Sequence, residues 1–244
     1  FSQVSAGGSQ SCGVREDGSV TCWANAYYTV ATPPDDRFTQ VSTYGLDCGV
    51  RIDGSVACWG TLLDPPAGTF SQISAGAASA CGVMTDGSVA CWGENRHGEA
   101  TPPAGTFSQV SAGRYHTCGV RTDGTVTCWG DDAYGKATPP GGTFSQVSVS
   151  VSQVSVVSTD GAATRWGNQT PDQEAPSANT FSQIAAGDAY TCALSTDASV
   201  ACWGDDTLGQ ATPPSGTFWQ ISAGNSHACG VSTDGSVTCW ANAY

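Results

Sequence analysis

Apolar and polar residues mix in short segments along this chain, and no segment carries the apolar stripe of an amphipathic helix. The residues 107–129, FSQVSAGRYHTCGVRTDGTVTCW, are typical. FSQVSAG predicts a short strand, and TCGVRTDGTVTCW predicts a hairpin with its turn at the centre. Serine, threonine, valine and glycine dominate such segments. The pattern therefore predicts an all-β chain.

The two cysteines of this hairpin define its register. Cys118 and Cys128 are ten residues apart, so a symmetric hairpin leaves Thr122-Asp123-Gly124 as its loop, with glycine at a left-handed position. Counting outward places the two cysteines opposite each other as a non-hydrogen-bonded pair, about 4.5 Å apart between Cα atoms. In a later copy Ala198 replaces this glycine, and we expect backbone strain there.

The same sequence unit recurs seven times, and the motif F-[STW]-Q-[VI] begins each copy. The chain is therefore predicted to be a single domain, 1–244, of seven repeats: 1–37, 38–69, 70–106, 107–143, 144–180, 181–217 and 218–244. An alternative is that residues 1–217 form one period, and that the short seventh unit begins another copy in a longer protein.

Six repeats carry a cysteine pair ten residues apart, whereas repeat five has Ser155 and Arg165 at the two positions. Joint loss of both cysteines favours disulfides over free core thiols. A zinc site is disfavoured because the spacing is not that of zinc ligands and no histidine completes a set. Six disulfides predict an oxidising compartment, secreted or at the cell surface. The predicted pairs are Cys12–Cys22, Cys48–Cys58, Cys81–Cys91, Cys118–Cys128, Cys192–Cys202 and Cys229–Cys239.

Seven antiparallel units of this length predict a seven-bladed β-propeller with short three- to four-stranded antiparallel blades. The prolines of the ATPP segments cannot lie in a central strand, so they should cross the outer edge of each blade. Blade seven should close against blade one by side-chain packing alone, which would make this junction the weakest. One tryptophan per repeat should pack between blades: Trp23, Trp59, Trp92, Trp129, Trp166, Trp203 and Trp240.

Acidic residues outnumber lysine and arginine by 21 to 8, which gives a net charge of −13. This charge disfavours nucleic-acid binding and membrane binding through basic patches. No apolar run approaches the roughly 18 residues of a membrane-spanning helix, so we expect no membrane insertion.

The segment SAGRYHTCGVRTDGTVTCWG resembles the repeat of the regulator of chromosome condensation family. The FSQVSAG openings and ATPPAGT connectors are most similar to the bacterial branch that includes β-lactamase inhibitory protein II. The resemblance extends over all seven units and implies a seven-bladed propeller. The family includes exchange factors, inhibitors and adhesins, so the resemblance leaves the function open.

Two connections of each blade should lie on one face, one after SAG and one after CWG. These connections differ between repeats, whereas the TDG turns and PPxGT corners of the opposite face are nearly invariant. Divergence among copied units predicts a binding face built from loops. Its candidate residues are Tyr27, Tyr28, Arg96, His97, Arg114, Tyr115, His116, Asp131, Asp132, Tyr134, Asp188, Tyr190, Asp205, Asp206, His227 and Tyr244.

Catalysis and cofactor binding have little support in the sequence. No histidine stands in a recognisable nucleophile motif, and His116 and His227 share one repeat position, which favours a structural role for both. The adjacent aspartates of two repeats are too few to enclose calcium. We therefore expect no enzyme activity, no cofactor and no metal.

Three functions remain. The first is a secreted, non-enzymatic propeller that binds a protein partner through one face, with inhibition as one form of such binding. The alternative is a structural or adhesive extracellular unit that self-assembles in a larger array or filament. The third is a glycan-binding propeller, which is disfavoured because the loops do not repeat a pocket.

Overall fold

The structure is a computed structural model that describes residues 1–24, 30–60, 64–168, 174–176 and 179–241. Its elements, grouped by blade, are β1 (Gln3–Ala6), β2 (Gln10–Val14), β3 (Val20–Ala24); β4 (Phe38–Thr43), β5 (Asp47–Arg51), β6 (Val56–Trp59); β7 (Phe70–Ala75), β8 (Ser79–Met84), β9 (Val89–Gly93); β10 (Phe107–Ala112), β11 (His116–Arg121), β12 (Val126–Gly130); β13 (Phe144–Val149), β14 (Gln153–Ser158), β15 (Ala163–Gly167); β16 (Phe181–Ala186), β17 (Tyr190–Ser195), β18 (Val200–Gly204); and β19 (Phe218–Ala223), β20 (His227–Ser232), β21 (Val237–Ala241).

The strands form seven antiparallel sheets of three strands each, and these sheets are the blades of a β-propeller. The first strands surround a central channel, and the third strands lie outermost. This confirms the predicted all-β, seven-bladed fold, with three strands per blade in the described residues. The described helical structure is one 3₁₀ turn at Ala133–Gly135, and no helix in the described ranges is long and apolar enough to cross a bilayer.

The hairpin register is as predicted. Cys118 pairs with Cys128 across the hairpin, and Gly124 has a φ of 84°. Asp123 stabilises the turn, since its Oδ1 accepts hydrogen bonds from the nitrogen and hydroxyl of Thr125 at 2.9 and 2.7 Å. The alanine that replaces glycine in blade 6, Ala198, keeps a left-handed φ of 70°, a conformation that costs more for alanine than for glycine.

All six predicted disulfides are present, and each lies within one hairpin. Their Cα–Cα distances are 4.0 or 4.1 Å, somewhat shorter than the spacing of about 4.5 Å expected for a non-hydrogen-bonded strand pair. The first cysteine of each pair is fully buried in the packing between neighbouring blades. The covalent links therefore strengthen single blades and do not connect one blade to the next.

Tryptophan packs between blades as predicted. Trp129 of blade 4 lies in one apolar cluster with Cys81 and Val83 of blade 3 and with Phe107 and Val110 of its own first strand. Equivalent clusters occur around the ring. The hydrophobic core is therefore a set of similar interfaces between blades.

A glutamine near the middle of each first strand joins its blade to the next. The side-chain amide of Gln72 accepts a hydrogen bond from the Val110 nitrogen at 2.9 Å and donates one to the Val110 carbonyl at 3.0 Å. It thus satisfies a facing backbone N–H and C=O as a paired strand would. We call this contact the glutamine bracket. Its acceptor half occurs at all seven junctions, from Gln3, Gln40, Gln72, Gln109, Gln146, Gln183 and Gln220.

A serine two residues further adds a second bond at six junctions. At the junction of blades 4 and 5, the Ser111 hydroxyl accepts a hydrogen bond from the Val149 nitrogen at 3.0 Å. Blade 6 has Ala185 at this position, so its junction with blade 7 lacks the serine contact. The six serines are Ser5, Ser42, Ser74, Ser111, Ser148 and Ser222.

The junction of blades 7 and 1 contains the same polar contacts. Gln220 brackets Val4 with bonds of 2.8 and 2.9 Å, and the Ser222 hydroxyl accepts from the Ala6 nitrogen at 2.9 Å. The Phe1 nitrogen also donates to the Gly235 carbonyl at 2.7 Å. The expectation that side-chain packing alone closes the ring is therefore corrected. The polar side chains that make these bonds were not assigned a role from the sequence.

The segments between blades follow the outer edge. Pro33 and Pro34 line one groove together with Val20 and Thr21 of β3, the outermost strand of blade 1. Each such segment then reaches the lower turn of the blade it left, where the Phe38 nitrogen donates to the carbonyl of Gly18 at 2.8 Å. The predicted position of the prolines is thus confirmed.

Candidate functional site

The two variable connections of a blade lie side by side on one face, which we call the upper face. We call the link between the first and second strands the inner loop, and the link from the third strand to the next blade the connector. In blade 4 the Asp131 nitrogen of the connector donates to the Tyr115 carbonyl of the inner loop at 2.8 Å. The corresponding bond in blade 6, from Asp205 to Ala189, measures 2.9 Å. The upper face is therefore one continuous surface.

Inner loops of successive blades are also bonded to each other around the channel. The Ala77 nitrogen donates to the Gly113 carbonyl at 3.3 Å, and the Asn225 nitrogen donates to the Gly7 carbonyl at 3.2 Å across the closing junction. Gly113 and Gly7 pack so closely that an added Cβ would lie 2.5 and 3.0 Å from the neighbouring loop. The inner part of the upper face is therefore held in place by backbone contacts.

One aspartate in each of two connectors supports the loop from inside. The Asp132 carboxylate accepts hydrogen bonds from the Ala137 nitrogen at 2.7 Å and the Thr138 hydroxyl at 2.9 Å. Asp206 makes the same pair of contacts in blade 6, at 2.8 and 2.7 Å. These bonds explain why the position is acidic, and they orient the rest of the connector. Asn95 serves the same purpose in blade 3.

The aspartate before it contacts a buried side chain in its own connector. Asp131 forms an ion pair of 2.8 Å with Lys136, whose side chain is almost fully buried. The hydrogen bond from this ammonium is the main reason that the pKa of Asp131 lies below its usual range. In blade 6 the Asp205 carboxylate accepts a hydrogen bond from Gln210 at 2.8 Å. Both aspartates are therefore tied into the loop structure.

Tyr115 is the centre of an aromatic and cationic cluster formed by blades 3 and 4. The His97 ring lies 5.1 Å from the Tyr115 ring, centroid to centroid. The Arg114 guanidinium lies 5.0 Å from the same centroid, and the Lys136 ammonium lies 6.0 Å from it. Arg114 is exposed and Tyr115 half-buried, so the cluster presents both a positive charge and a ring to solvent.

Two apolar side chains project from the connector tips. Tyr134 is 74% exposed with a φ of 64°, and Leu208 at the equivalent position of blade 6 is 46% exposed. Arg96 of blade 3 is also exposed and pairs with Glu94 at 3.1 Å. Leu208 was not predicted from the sequence. Its alignment with Tyr134 two residues after the DD pair was the signal that could have identified it.

Asp188 lies at the mouth of the channel. Its carboxylate accepts a hydrogen bond of 3.1 Å from the hydroxyl of Tyr44, which comes from the nearly opposite blade 2, and another from the Val151 nitrogen. Burial raises the pKa of Asp188, against the lowering effect of these bonds and of Arg114. Burial and the Asp188 charge raise the pKa of Tyr44. Tyr44, also missed from sequence, thus links opposite sides of the ring.

Three candidates are not on the surface. Tyr190 and His116 are 0% exposed and His227 is 2% exposed, because each begins a second strand whose side chain points between blades. The Tyr190 hydroxyl donates to the His227 carbonyl at 2.5 Å. Burial lowers the pKa of His116 to about 3 and that of His227 to about 4. We therefore remove these residues from the candidate binding face, and they have the structural role that the repeat position favoured for the histidines.

The structure does not bring every remaining candidate into one patch. Arg96, His97, Arg114, Tyr115 and Tyr134 lie in blades 3 and 4, whereas the blade 6 residues lie across the channel. Within the described ranges, no three histidine, cysteine or acidic side chains are grouped so that they could hold a metal ion. Three further candidates lie outside the described residues, namely Tyr27, Tyr28 and Tyr244.

Four of the seven units match the Regulator of chromosome condensation (RCC1) repeat, over residues 70–99, 107–136, 181–210 and 220–240. They include the connectors that carry His97, Tyr134 and Leu208. No curated protein matches the sequence.

Solved structures with a similar fold include two plant receptor ectodomains. The CRINKLY WD40 ectodomain of the Arabidopsis thaliana receptor kinase ACR4 has a TM-score of 0.81 and 24% identity, over 99% of this chain and 94% of that one. The ectodomain of the Physcomitrella patens receptor kinase CR4 has a TM-score of 0.79 and 24% identity, over 99% and 73%. Yeast RCC1 (Prp20), solved bound to Kap60, has a TM-score of 0.64 and 15% identity, over 98% and 69%. At these identities the similarity establishes the fold.

Proposed function

We propose that this RCC1-repeat propeller is a secreted, non-enzymatic binding protein that contacts a protein partner through its upper face. The observation that carries the proposal is the Tyr115 cluster. Arg114, Tyr115 and His97 present a cation and aromatic rings together, and Tyr134 is exposed on the connector of the same blade as Tyr115. Tyrosine and arginine are enriched among the residues that dominate protein interfaces.

The rigidity of these loops supports the same function. Hydrogen bonds join the inner loop to the connector, and Asp132 holds the connector from within. A surface that is already ordered loses little conformational entropy when a partner binds. Such loops favour a specific partner over a flexible, adaptable contact.

The lower face has a different character. Its turns use one aspartate in the same way in each repeat, and the hydrogen bonds from a serine or threonine hydroxyl are the first cause of the low pKa of Asp17, Asp53 and Asp123. These residues are committed to the turn itself. The contrast favours the upper face as the site of contact.

The six disulfides support an extracellular location, since such bonds persist in oxidising compartments. The finer resemblance of the FSQVSAG and ATPPAGT segments to the branch that includes β-lactamase inhibitory protein II supports inhibition as the form of binding. We propose that the partner protein is inhibited by coverage of its own site.

Matched surface variants test the proposal. The upper-face variant Arg114→Ala/Tyr115→Ala/Tyr134→Ala is compared with the lower-face variant Arg37→Ala/Ile52→Ala, whose residues are similarly exposed. Each protein is immobilised and exposed to secreted and surface proteins of its source organism. We expect a partner that the wild type and the lower-face variant retain and that the upper-face variant does not. The upper-face substitutions should weaken the binding free energy by about 1 kcal/mol or more per hot-spot residue. A partner lost only in the lower-face variant would contradict the assignment.

A further inference from the structure

The phenylalanine that begins each repeat is covered differently from blade to blade. Phe107 pairs with Arg121 across blade 4, whereas Phe144 pairs with Ser158 across blade 5. Phe144 is 6% exposed and Phe107 is 2% exposed, so the serine leaves more of the ring open. The residue at this position is long in the first four blades and a serine in the last three: Arg15, Arg51, Met84 and Arg121, then Ser158, Ser195 and Ser232.

Arg121 shows what the space beside the ring holds in blade 4. Its guanidinium carbon lies 4.7 Å from the centroid of the Phe107 ring. Its Nε donates a hydrogen bond to the Thr127 hydroxyl at 2.8 Å, and its Nη1 donates one to the Ala104 carbonyl at 3.2 Å. The space therefore binds a guanidinium group through an aromatic ring, a hydroxyl and a backbone carbonyl.

Blade 1 repeats two of these three contacts. The guanidinium carbon of Arg15 lies 5.1 Å from the centroid of the Phe1 ring, and its Nε donates to the Thr21 hydroxyl at 3.0 Å. Thr21 and Thr127 occupy the same repeat position, and blade 5 keeps a threonine there, Thr164. Blade 5 thus has the ring and the hydroxyl of this arrangement without its arginine.

The two other blades with serine differ from blade 5. Blade 6 has Ala201 in place of the threonine. Blade 7 keeps Thr238, but the corner that leads into it carries Ser215 where the corner before blade 5 has Gly141. The ring is also better covered in both blades, since 3% is exposed of Phe181 and of Phe218. Blade 5 alone among these three combines the serine, the threonine and a glycine at that point of the corner.

In blade 5 this space is an open groove of about 340 Å³. The Phe144 ring and Thr164 line it, as does Gly141, which takes the place of Ala104 in the preceding corner. These are the counterparts of the ring, the hydroxyl and the carbonyl that Arg121 contacts in blade 4. We call this space the Phe144 groove.

The corner glycines show that the groove corresponds to the position of the guanidinium. A Cβ added to Gly105 would overlap the Nη1 atom of Arg121. A Cβ added to the equivalent Gly142 would instead meet the Phe144 ring first, at 3.4 Å. The volume that the guanidinium occupies in blade 4 is therefore free in blade 5.

Asp160 gives the Phe144 groove a negative charge. Its carboxylate accepts hydrogen bonds from the Ser158 hydroxyl and from the Ala162 nitrogen, the latter at 3.2 Å. These bonds, that from Ser158 first, hold the pKa of Asp160 below its usual range. In blade 4, hydrogen bonds within the turn lower the pKa of Asp123, and the Arg121 charge lowers it further. Among the described residues, no basic side chain does the same for Asp160.

We infer that the Phe144 groove binds the guanidinium group of an arginine side chain from a partner protein. The guanidinium lies over the Phe144 ring as that of Arg121 lies over Phe107, and it donates hydrogen bonds to the Thr164 hydroxyl and the Gly141 carbonyl. Arginine fits this set better than lysine, because its planar group presents several donors while it stacks on a ring.

The groove suits a side chain that arrives on a polypeptide. Gly141 and Gly142 of its corner are exposed, so an arginine can enter while the partner's backbone stays outside. The net charge of −13 favours the approach of a basic partner. The site lies on the lower face and shares no residue with the proposed upper-face contact, so each can be tested without the other.

The test titrates N-acetyl-arginine amide into the ¹⁵N-labelled chain and follows the backbone amide signals of Ser158 and Thr159. We expect saturable shifts with a dissociation constant of about 1–10 mM, because one cation–π contact and two hydrogen bonds are individually weak. The citrulline analogue has the same shape without the charge and should bind at least about tenfold more weakly. Thr164→Ala, which removes one acceptor, should weaken binding of the arginine probe about three- to tenfold.

Two matched variants define the site. Ser158→Arg supplies the side chain that blade 4 has, so it should fill the Phe144 groove and bind the probe at least about tenfold more weakly. Ser232→Arg adds the same charge at the equivalent position of blade 7 and should leave the shifts at Ser158 and Thr159 unchanged.

Three results would overturn the inference. They are the absence of a saturable shift up to about 50 mM probe, equal binding of the citrulline analogue, and undiminished binding to Ser158→Arg. Tighter binding of free arginine than of the capped probe would show that the groove takes the amino acid itself, and it would overturn the assignment to a partner protein.

Discussion

The junction of blades 4 and 5 and the junction of blades 7 and 1 have the same inner half and different outer halves. Near the channel, both have the acceptor half of the glutamine bracket and a serine bond, each of similar length at the two junctions. Further out, Trp166 is covered by the blade 4 connector, whereas Trp23 is half-buried. Ring closure therefore depends on polar contacts that recur around the ring, and coverage of the tryptophan depends on the connector.

A buried histidine also differs between the two junctions, and here the junction of blades 7 and 1 has the more favourable contact. His227 of blade 7 lies 2.8 Å from the hydroxyl of Ser11, measured from Nε2. Among the described residues, His116 of blade 4 has no hydrogen-bond partner for either ring nitrogen, and the position equivalent to Ser11 in blade 5 is Val154. The closing junction is thus weaker in its tryptophan contact and better satisfied in its histidine contact. The prediction that it opens first now depends on Trp23.

The largest expected effect is the loss of a covered tryptophan. Trp166→Ala should lower the free energy of unfolding by about 3–5 kcal/mol, since it empties a well-packed position. Trp23→Ala at the closing junction should cost about half as much, because the ring is already partly exposed. Guanidinium unfolding of the two variants with intact disulfides measures the difference. Equal losses would contradict the unequal coverage.

The buried histidines should make stability fall as the pH decreases. Unfolded histidine titrates near pH 6.5, whereas the pKa is about 3 for His116 and about 4 for His227 in the folded chain. Below pH 6.5 the unfolded chain takes up protons that the folded chain does not. The free energy of unfolding therefore has its full value above pH 6.5, and below it falls by up to about 1.4 kcal/mol per pH unit for each histidine.

Unfolding measured between pH 6.5 and 5 tests this effect. Burial raises the pKa of Asp47 and of Asp188, which favours the folded chain as the pH falls, so the histidine contribution is taken from the difference between wild type and variants. His116→Leu and His227→Leu should each remove about half of the slope that the two histidines contribute. An unchanged slope in both variants would show that the histidines are protonated in the folded chain.

Giving His116 a hydroxyl partner and removing the hydroxyl partner of His227 should reverse the difference between the two histidine contacts. Val154→Thr offers His116 a hydroxyl with little change in volume and should raise the free energy of unfolding by about 1 kcal/mol. Ser11→Ala should lower it by about 1–2 kcal/mol. The matched control is Val154→Thr in the His116→Leu background, where the new hydroxyl has no partner and should destabilise. A gain that persists there would argue against a hydrogen bond to His116.

The smallest effect is expected at the junction of blades 6 and 7. Ala185→Ser should supply the serine bond that the other six junctions have and raise the free energy of unfolding by about 0.5–1 kcal/mol. Ser148→Ala, which removes that bond at the preceding junction, should lower it by a similar amount. Thermal unfolding of both variants provides the measurement. A loss of stability in Ala185→Ser would mean that the position cannot accept a hydroxyl.

Properties that depend on local spacing could be predicted from the sequence. The cysteines ten residues apart determined the register, the loop and the disulfides, and one tryptophan per repeat indicated the packing between blades. The roles of Gln72 and Ser74 were missed, because a polar residue in a strand does not reveal whether it faces solvent or a neighbouring blade. Repetition of the glutamine in all seven units was the available signal.

The candidate face was predicted less completely, since loop position alone does not determine side-chain direction. Tyr190 and His116 follow variable residues in the sequence but begin strands, so their side chains enter the core. Asp132 resembles a surface charge until its bonds to the following alanine and threonine are known. Tyr44 could not be found because its contact with Asp188 joins residues 144 apart in sequence.

Because every disulfide closes a hairpin and none joins two blades, the molecule should respond to mechanical force in a divided way. Tension applied at the ends reaches first the glutamine amides and serine hydroxyls between blades, which rupture as separate small groups. The second and third strands of six blades then remain tied together, while blade 5, with Ser155 and Arg165 facing each other, can extend fully. Under load, six hairpins would stay closed by their disulfides, and the hairpin of blade 5 would be the one that opens.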